Sequence, residues 1–272
     1  MKTKSLNIGM LVPDINSYYY AAIVKGVADN LKAHNHNLIL SSSFDDPKLE
    51  KSSIKSFIAN KCDGVIVISI MMMKKDLDYL KDNGIKVVVC DNKLDGHYPS
   101  VINDNYSGAY QLFDYMVQKG CSRIGWIGGN PLSFVVKERL RAYKDVLAKY
   151  KLPYLQDIFI FGERTLDFGY ENAPKLLDHK YLDGVFGVND SVALGIYKYC
   201  CEKGIKIPDD LKLTGFDDLE ISSLTKVPLT TVRQYKEFLG KKASDLLIRE
   251  IYDPQDPMVI VLDPALMPRT SC

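Results

Sequence analysis

The chain has 272 residues, 46% hydrophobic and 25% charged, with 35 basic against 34 acidic side chains and a formal net charge of +1. That length exceeds a minimal domain and suits one large α/β domain or two lobes. The even charge balance offers no basic surface for nucleic acid and no acidic tail, so any element that reads DNA is expected to lie outside this chain.

Met1–Ser5 is basic but lacks the apolar stretch and small-residue cleavage site of a signal peptide. No apolar run approaches the roughly 18 residues of a membrane span. The longest, Gly64 to Met73, is broken by Ser69 and reads as a buried strand with its following loop. Cys62, Cys90, Cys121, Cys200, Cys201 and Cys272 form no CxxC pair. They are expected to be reduced thiols of a cytoplasmic protein rather than a disulfide framework. His34, His36, His97 and His179 are scattered, so neither a metal nor a cofactor is expected.

Leu6 to Val12 is short, apolar and stopped by Pro13, the pattern of a buried strand. Ile23, Val24, Val27, Ala28 and Leu31 make a helical stripe, and Leu38-Ile39-Leu40 is a second strand. Asp45-Asp46-Pro47 starts a helix with an acidic cap and a first-turn proline. Val65 to Ile68 is the third strand, Leu77 and Leu80 mark a short helix ending near Gly84, and Val87 to Cys90 is the fourth strand. A second series follows: a helix from Ala109 to Val117, a strand from Arg123 to Ile127, a helix through Leu140, Tyr143 and Leu147, and a strand over Ile158–Phe161. Next come a helix through Tyr170 and Leu176, the strand Val185-Phe186, a helix through Ala193 and Tyr197, and a strand over Leu211–Phe216.

Strands that are apolar on both faces, joined by amphipathic helices, imply parallel sheets covered on both sides. The two βα series span 6–103 and 104–230. The tail holds one helix (Leu239 to Ile251) and one strand (Val259 to Leu262), too little for a domain. It is expected to complete the other two sheets, the chain crossing between lobes more than once.

In open parallel sheets ligands sit at the carboxyl ends of strands. Those ends carry Asp14, Asn16 and Tyr18-Tyr19-Tyr20, then Asp91-Asn92, Asn189-Asp190 and Asp217-Asp218, with Arg139 after Gly128-Gly129. Forked acceptors, a guanidinium and aromatic faces suit a polyol. Each residue has a second reading. An Asp or Asn after a strand is equally a helix N-cap, the tyrosines a hydrophobic staple, and Arg139 a partner of Glu138 or a surface acid. Met71-Met72-Met73 reads as core or loop packing rather than a partner surface. No GxSxG, GxxxxGK[ST] or HExxH motif is present, so an enzyme is not expected.

The ordered set of motifs resembles the LacI/GalR family of bacterial transcription regulators. Ile8 to Ile15 with Ser17-Tyr18-Tyr19-Tyr20 resembles the start of that family's effector domain. Cys62-Asp63-Gly64 before Val65–Ile68, Ile102-Asn103-Asp104-Asn105 with Gly108-Ala109, and Arg123 to Gly129 match further segments. So do Arg139 to Tyr143, Asn189-Asp190 with Ala193-Leu194-Gly195, Pro208 to Asp218, Pro228 to Gln234, and Arg269 to Cys272. The likeness runs through essentially the whole chain in order.

The resemblance implies a periplasmic-binding-protein-like type I fold: α/β, two Rossmann-like lobes with parallel sheets and three interlobe crossovers near 103–104, 231–235 and 257–263. It assigns 6–103 with about 235–257 to one lobe and 104–231 with about 258–272 to the other. It further implies a cytoplasmic homodimer that controls operator DNA allosterically, with a sugar or sugar-derived effector in the cleft. Residues matching Arg139, Asn189 and Asp217 bond the effector in the family, and those matching Tyr19, Tyr20, Asp91 and Asn92 line its pocket. Arg164 stands where many relatives carry an aromatic and favours an anionic ligand, a sugar acid or sugar phosphate; its alternative is a solvent-facing Arg in a shifted loop. The family's helix-turn-helix and hinge helix are not matched before the first strand. The expectation is therefore a piece of a longer regulator, or a natural sensor without its reader, that does not bind an operator by itself. The alternative is an extracytoplasmic sugar-binding protein of a transporter.

Overall fold

The computed structural model describes residues 4–69, 72–93, 98–177 and 181–272. Met71, His97 and His179 lie outside the described residues. The elements in chain order are β1 (Asn7–Val12), α1 (Tyr18–Ala33), β2 (Asn37–Ser42), α2 (Pro47–Ala59), β3 (Gly64–Val67), α3 (Lys74–Asp82), β4 (Lys86–Cys90) and β5 (Ser100–Asn103). They continue as α4 (Asn105–Gln118), β6 (Ile124–Ile127), α5 (Phe134–Lys149), β7 (Phe159–Ile160), α6 (Leu166–Leu177), β8 (Gly184–Gly187), α7 (Asp190–Lys203) and β9 (Lys212–Thr214). The last four are β10 (Thr231–Arg233), α8 (Lys236–Tyr252), β11 (Val259–Leu262) and β12 (Ala265–Met267). The chain divides into two compact units, Met1–Asn103 with Tyr235–Leu262, and Asp104–Gln234 with Asp263–Cys272.

The first unit is built on a parallel sheet ordered β11-β5-β4-β3-β1-β2. Strand side chains alternate between faces, and here both faces are apolar. Ile8, Met10, Val12, Ile66, Val88 and Cys90 join one core cluster with Ile23 and Val27 of α1 and Leu239 and Leu247 of α8. The alternate residues Leu11, Val65, Val67, Val87 and Val89 join another with Ile54 and Phe57 of α2 and Leu77 and Leu80 of α3. Asp46 caps α2 as expected, its carboxylate accepting from the Lys48 amide at 2.7 Å.

The second unit has the parallel sheet β7-β6-β8-β9 and a separate antiparallel pair, β10-β12. Trp126 of β6 and Phe186 of β8 meet edge-on, 4.7 Å between centroids, and Phe113 of α4 packs on Phe186 at 5.0 Å. On the opposite face the glycines Gly125 and Gly187 admit Leu176 of α6 and Ala193 of α7.

Three strands were not expected. β10 and β12 are three residues each, too short for alternation to register, and β5 carries only two aliphatic residues, between Ser100 and Asn103. The expected strands Ile158–Phe161 and Leu211–Phe216 shrink to two and three residues. The assignment of 258–262 to the second lobe is corrected: β11 pairs in parallel with β5 across Val259–Ser100 to Leu262–Asn103, which ties it to the first unit's sheet. Residues 232–234 go with the second unit, where β10 pairs with β12.

Candidate functional site

In the second unit the chain leaves β6 to make β7 on one side and β8 on the other, so strand order reverses between β6 and β8. Such a switch point opens a crevice at the carboxyl ends of the two strands. β6 ends in Gly128 and Gly129, at φ 93° and 83°. A Cβ on Gly128 would sit 2.8 Å from a Val188 methyl, so this turn admits only glycine without rearrangement.

Arg139 reaches this end from inside α5, not from the loop before it, and is 4% exposed. Its Nε and Nη2 both donate to Asn105 Oδ1, at 3.0 and 2.8 Å, and Nη1 donates to the Val188 carbonyl at 2.6 Å. Its guanidinium carbon lies 3.6 Å from the Phe216 ring centroid. The reading of Arg139 as a partner of Glu138 is corrected: Glu138 pairs with Arg141 on the exposed side of the helix. A planar fork fixed on one edge and stacked on one face is a pre-oriented donor.

Asn189 follows β8 and caps α7, its Oδ1 accepting from the Val192 amide at 2.9 Å while its Nδ2 donates to the Arg164 carbonyl at 3.2 Å. The capping reading therefore holds for this residue, and the cap fixes its amide beside the loop of half-buried Arg164.

Asp217 is 4% exposed and sits at φ 113°, with Asp218 beyond it at φ 49°. Non-glycine residues in that region cost of order 1–3 kcal/mol each and persist only where the surroundings over-determine them. Here they do. The Asp217 amide donates to the Val232 carbonyl at 2.9 Å, and Gln234 Nε2 donates to Asp217 Oδ1 at 2.6 Å. Asp218 accepts from Arg233 Nε at 2.6 Å and from Arg269 Nη2. Burial alone would raise the Asp218 pKa, but the two guanidinium groups hold it below the usual carboxylate range.

Asp190 is fully buried beneath this turn. Its carboxylate accepts from the Leu219 amide at 2.8 Å, the Ser222 hydroxyl at 2.7 Å and the Thr231 hydroxyl at 2.5 Å. Burial first, and the negative charge of Asp217 second, push it up to about 7. All four expected strand-end groups here, Asn189, Asp190, Asp217 and Asp218, hydrogen-bond within the protein. Arg139, Asn189 and Asp217 gather around Val188 and Phe216. Asn105 and Gln234, both buried, join them. Each lay in a family-like segment, but nothing in its own spacing marked it.

In the first unit Tyr18 is exposed, whereas Tyr19 and Tyr20 pack into the core edge-to-face at 5.3 Å, the Tyr19 hydroxyl accepting from Asn103 Nδ2 at 3.2 Å. Asp91 ends β4 at φ 57°, its amide donating to the Val101 carbonyl at 2.9 Å. Asn92 Nδ2 donates to the Ser69 carbonyl at 2.7 Å, joining the ends of β4 and β3. Among the described residues no group of three or more His, Cys, Asp or Glu is placed to hold a metal. None of the described helices is long and apolar enough to cross a membrane.

Comparison with known proteins follows this geometry. The chain matches the family of periplasmic binding protein-like domains over residues 113–272. It is 30% identical over 276 residues to the HTH-type transcriptional regulator RegA of Clostridium acetobutylicum, covering 99% of this chain and 82% of that protein. The crystal structure of the transcription regulator CcpA of Lactococcus lactis matches with a TM-score of 0.90 at 27% identity, covering 98% of this chain and 99% of that one. A LacI family transcriptional regulator from Enterococcus faecium, solved with bound ribose, matches with a TM-score of 0.88 at 26% identity, covering 97% and 98%.

Proposed function

This chain belongs to the LacI/GalR family of transcriptional regulators and is the effector-binding domain of that family, and from that premise we propose that it senses a sugar or sugar-derived metabolite. The effector then controls DNA binding by the full-length protein allosterically. The observation that carries this reading is the gathering of Arg139, Asn189 and Asp217 at the carboxyl ends of the second unit's strands. A fixed guanidinium, an amide and a carboxylate together supply forked donors and acceptors for vicinal hydroxyls. Tyr19, Tyr20, Asp91 and Asn92, at strand ends of the first unit, are that unit's candidate ligand contacts. Arg164 selects for an acidic or phosphorylated sugar. The site binds and does not catalyse, and the working state is a cytoplasmic homodimer that meets operator DNA through an N-terminal domain. Control requires that the effector bind two conformations with different affinity; the coupling equals that difference.

A thermal-shift screen tests this reading. The E. faecium relative carries ribose, so the panel starts with D-ribose and extends to D-glucose, D-gluconate and D-glucose 6-phosphate. A ligand that binds only the folded state raises the melting temperature in a saturable way. The reading is supported if one class does so and the shift is lost in Asp217→Ala. It fails if no sugar class shifts the wild type, or if the shift survives in that variant.

A further inference from the structure

Helix α2 turns a carboxyl group inward, against the first unit's sheet. Its buried residues are Glu50, Ser53, Ile54 and Phe57, the spacing of a core-facing stripe. Ile54 and Phe57 join the core, and Glu50 occupies the same stripe at 3% exposure. A carboxyl in such a place is costly unless it is hydrogen-bonded. Its partner is the hydroxyl of Ser69, just beyond β3 and 5% exposed, which donates to Glu50 Oε1 and accepts from the Met72 amide at 2.9 Å.

Ser69 carries the connection onward. Its carbonyl accepts from Asn92 Nδ2 at 2.7 Å, and Asn92 Oδ1 accepts from the Lys93 amide at 2.8 Å. The Asn92 carboxamide is thus held at its nitrogen and at its oxygen. The resulting chain, Glu50 to Ser69 to Asn92, ties α2 to the carboxyl ends of β3 and β4. An aliphatic side chain at position 50 would fill the stripe. Only an acceptor there also holds Ser69, whose peptide fixes the direction of Asn92.

We propose that Glu50 is a positioning residue for the effector site, orienting the Asn92 carboxamide through Ser69; the role of Asn92 as a ligand contact rests on the sensing reading above. Glu50 acts on Ser69 and not on the ligand. The hold is strongest from the carboxylate, because a hydrogen bond to an ionised acceptor is roughly twice as strong as one to a neutral group. Burial pushes Glu50 up, the Ser69 hydrogen bond opposes it, and the negative charges of Asp45 and Asp46 before α2 and of Asp76 on α3 add to the rise. As pH falls through that raised value, Glu50 takes up a proton, Ser69 is held less firmly, and the Asn92 amide loosens with it.

The test needs no ligand for its first arm. The side-chain amide of Asn92, identified by its absence in Asn92→Ala, is followed in nitrogen-15-edited spectra of the intact protein as pH is lowered. Its signal should shift along the titration curve of the Glu50 carboxyl carbon. Glu50→Gln keeps an acceptor and should hold the signal near its neutral-pH position at every pH, whereas Glu50→Ala should move it toward a free carboxamide. An Asn92 signal that ignores the Glu50 titration, or a Glu50→Gln spectrum that matches Glu50→Ala, overturns the proposal. The wild-type titration decides even if Glu50→Ala does not fold. In the second arm, calorimetry with D-ribose as probe should find Glu50→Ala binding about tenfold more weakly than Glu50→Gln, the fold-change of one lost hydrogen bond. Equal affinities overturn the link to the ligand. An absence of heat with the wild type counts against the sensing of ribose, and the spectra still decide the positioning.

Discussion

The guanidinium of Arg139, a buried arginine at the second unit's strand ends, stacks on the ring of Phe216, the residue before Asp217, at 3.6 Å. The stack holds the face of the group and Asn105 holds its edge, so its direction is set before a ligand arrives. Pre-orientation of this kind lowers the ordering cost of binding.

Arg139→Ala is expected to weaken effector binding by ~1.5–3 kcal/mol, the worth of a charge-assisted hydrogen bond, and Asp217→Ala to do the same. The arginine variant should also melt lower, because Asn105 Oδ1 and the Val188 carbonyl lose their donors. Arg139→Lys keeps the charge but not the fork and should recover only part of the affinity. Calorimetric titration with whichever sugar raises the melting temperature measures all three. A wild-type-like isotherm in Arg139→Ala would remove this residue from the site.

Asp190 gives a signature in stability against pH. Its folded pKa is about 7 against an ordinary 3.8, so folding favours the protonated carboxyl. The contribution is fully present below pH 3.8 and is lost as pH rises through about 7. Asp190→Asn does not titrate. Its urea midpoint should change less than that of the wild type between about pH 5 and about pH 8, and an unchanged difference would refute the assignment.

Asp218 has the opposite sign. Its depressed pKa means that its ion pairs stabilise the fold above pH 3.8 and fail as pH falls through the lower folded value. Asp218→Asn should cost of order 3 kcal/mol, read from urea unfolding at neutral pH, because it leaves Arg269 without its charge partner in a site where the carboxylate is 7% exposed. A loss within experimental error would show that the pair contributes nothing.

The packing of α1 on α8 depends on two small residues. A Cβ on Gly26 would lie 2.0 Å from the Glu237 carbonyl oxygen, and one on Gly240 would lie 2.1 Å from the Ile23 carbonyl oxygen. The clash is with backbone, which cannot rotate away. Either Gly26→Ala or Gly240→Ala should lower stability by ~1–3 kcal/mol through overpacking. An unchanged denaturant midpoint in both would contradict the helix contact.

Much of this protein could be read before its structure. The strands apolar on both faces, the Asp46-Pro47 helix start and the strand-end polar residues are local signals, carried by spacing and by residue type. β5, β10 and β12 carried too little spacing to be seen. The resemblance indicated Arg139, Asn189 and Asp217 but not that Asn105 and Gln234 fix two of them. An amide in a helix first turn or at a strand end looks alike whether it faces solvent or an arginine.

Periodicity along the chain thus determined the helices and the longer strands, because these follow from neighbours within a few positions. Only the tertiary structure decided which sheet receives Val259–Leu262, that Arg139 turns inward while Arg141 takes Glu138, and that Asp190 is sealed beneath Asp217. Each of those depends on groups brought together from far along the chain, and on the rotation of a helix or the twist of a strand about its axis.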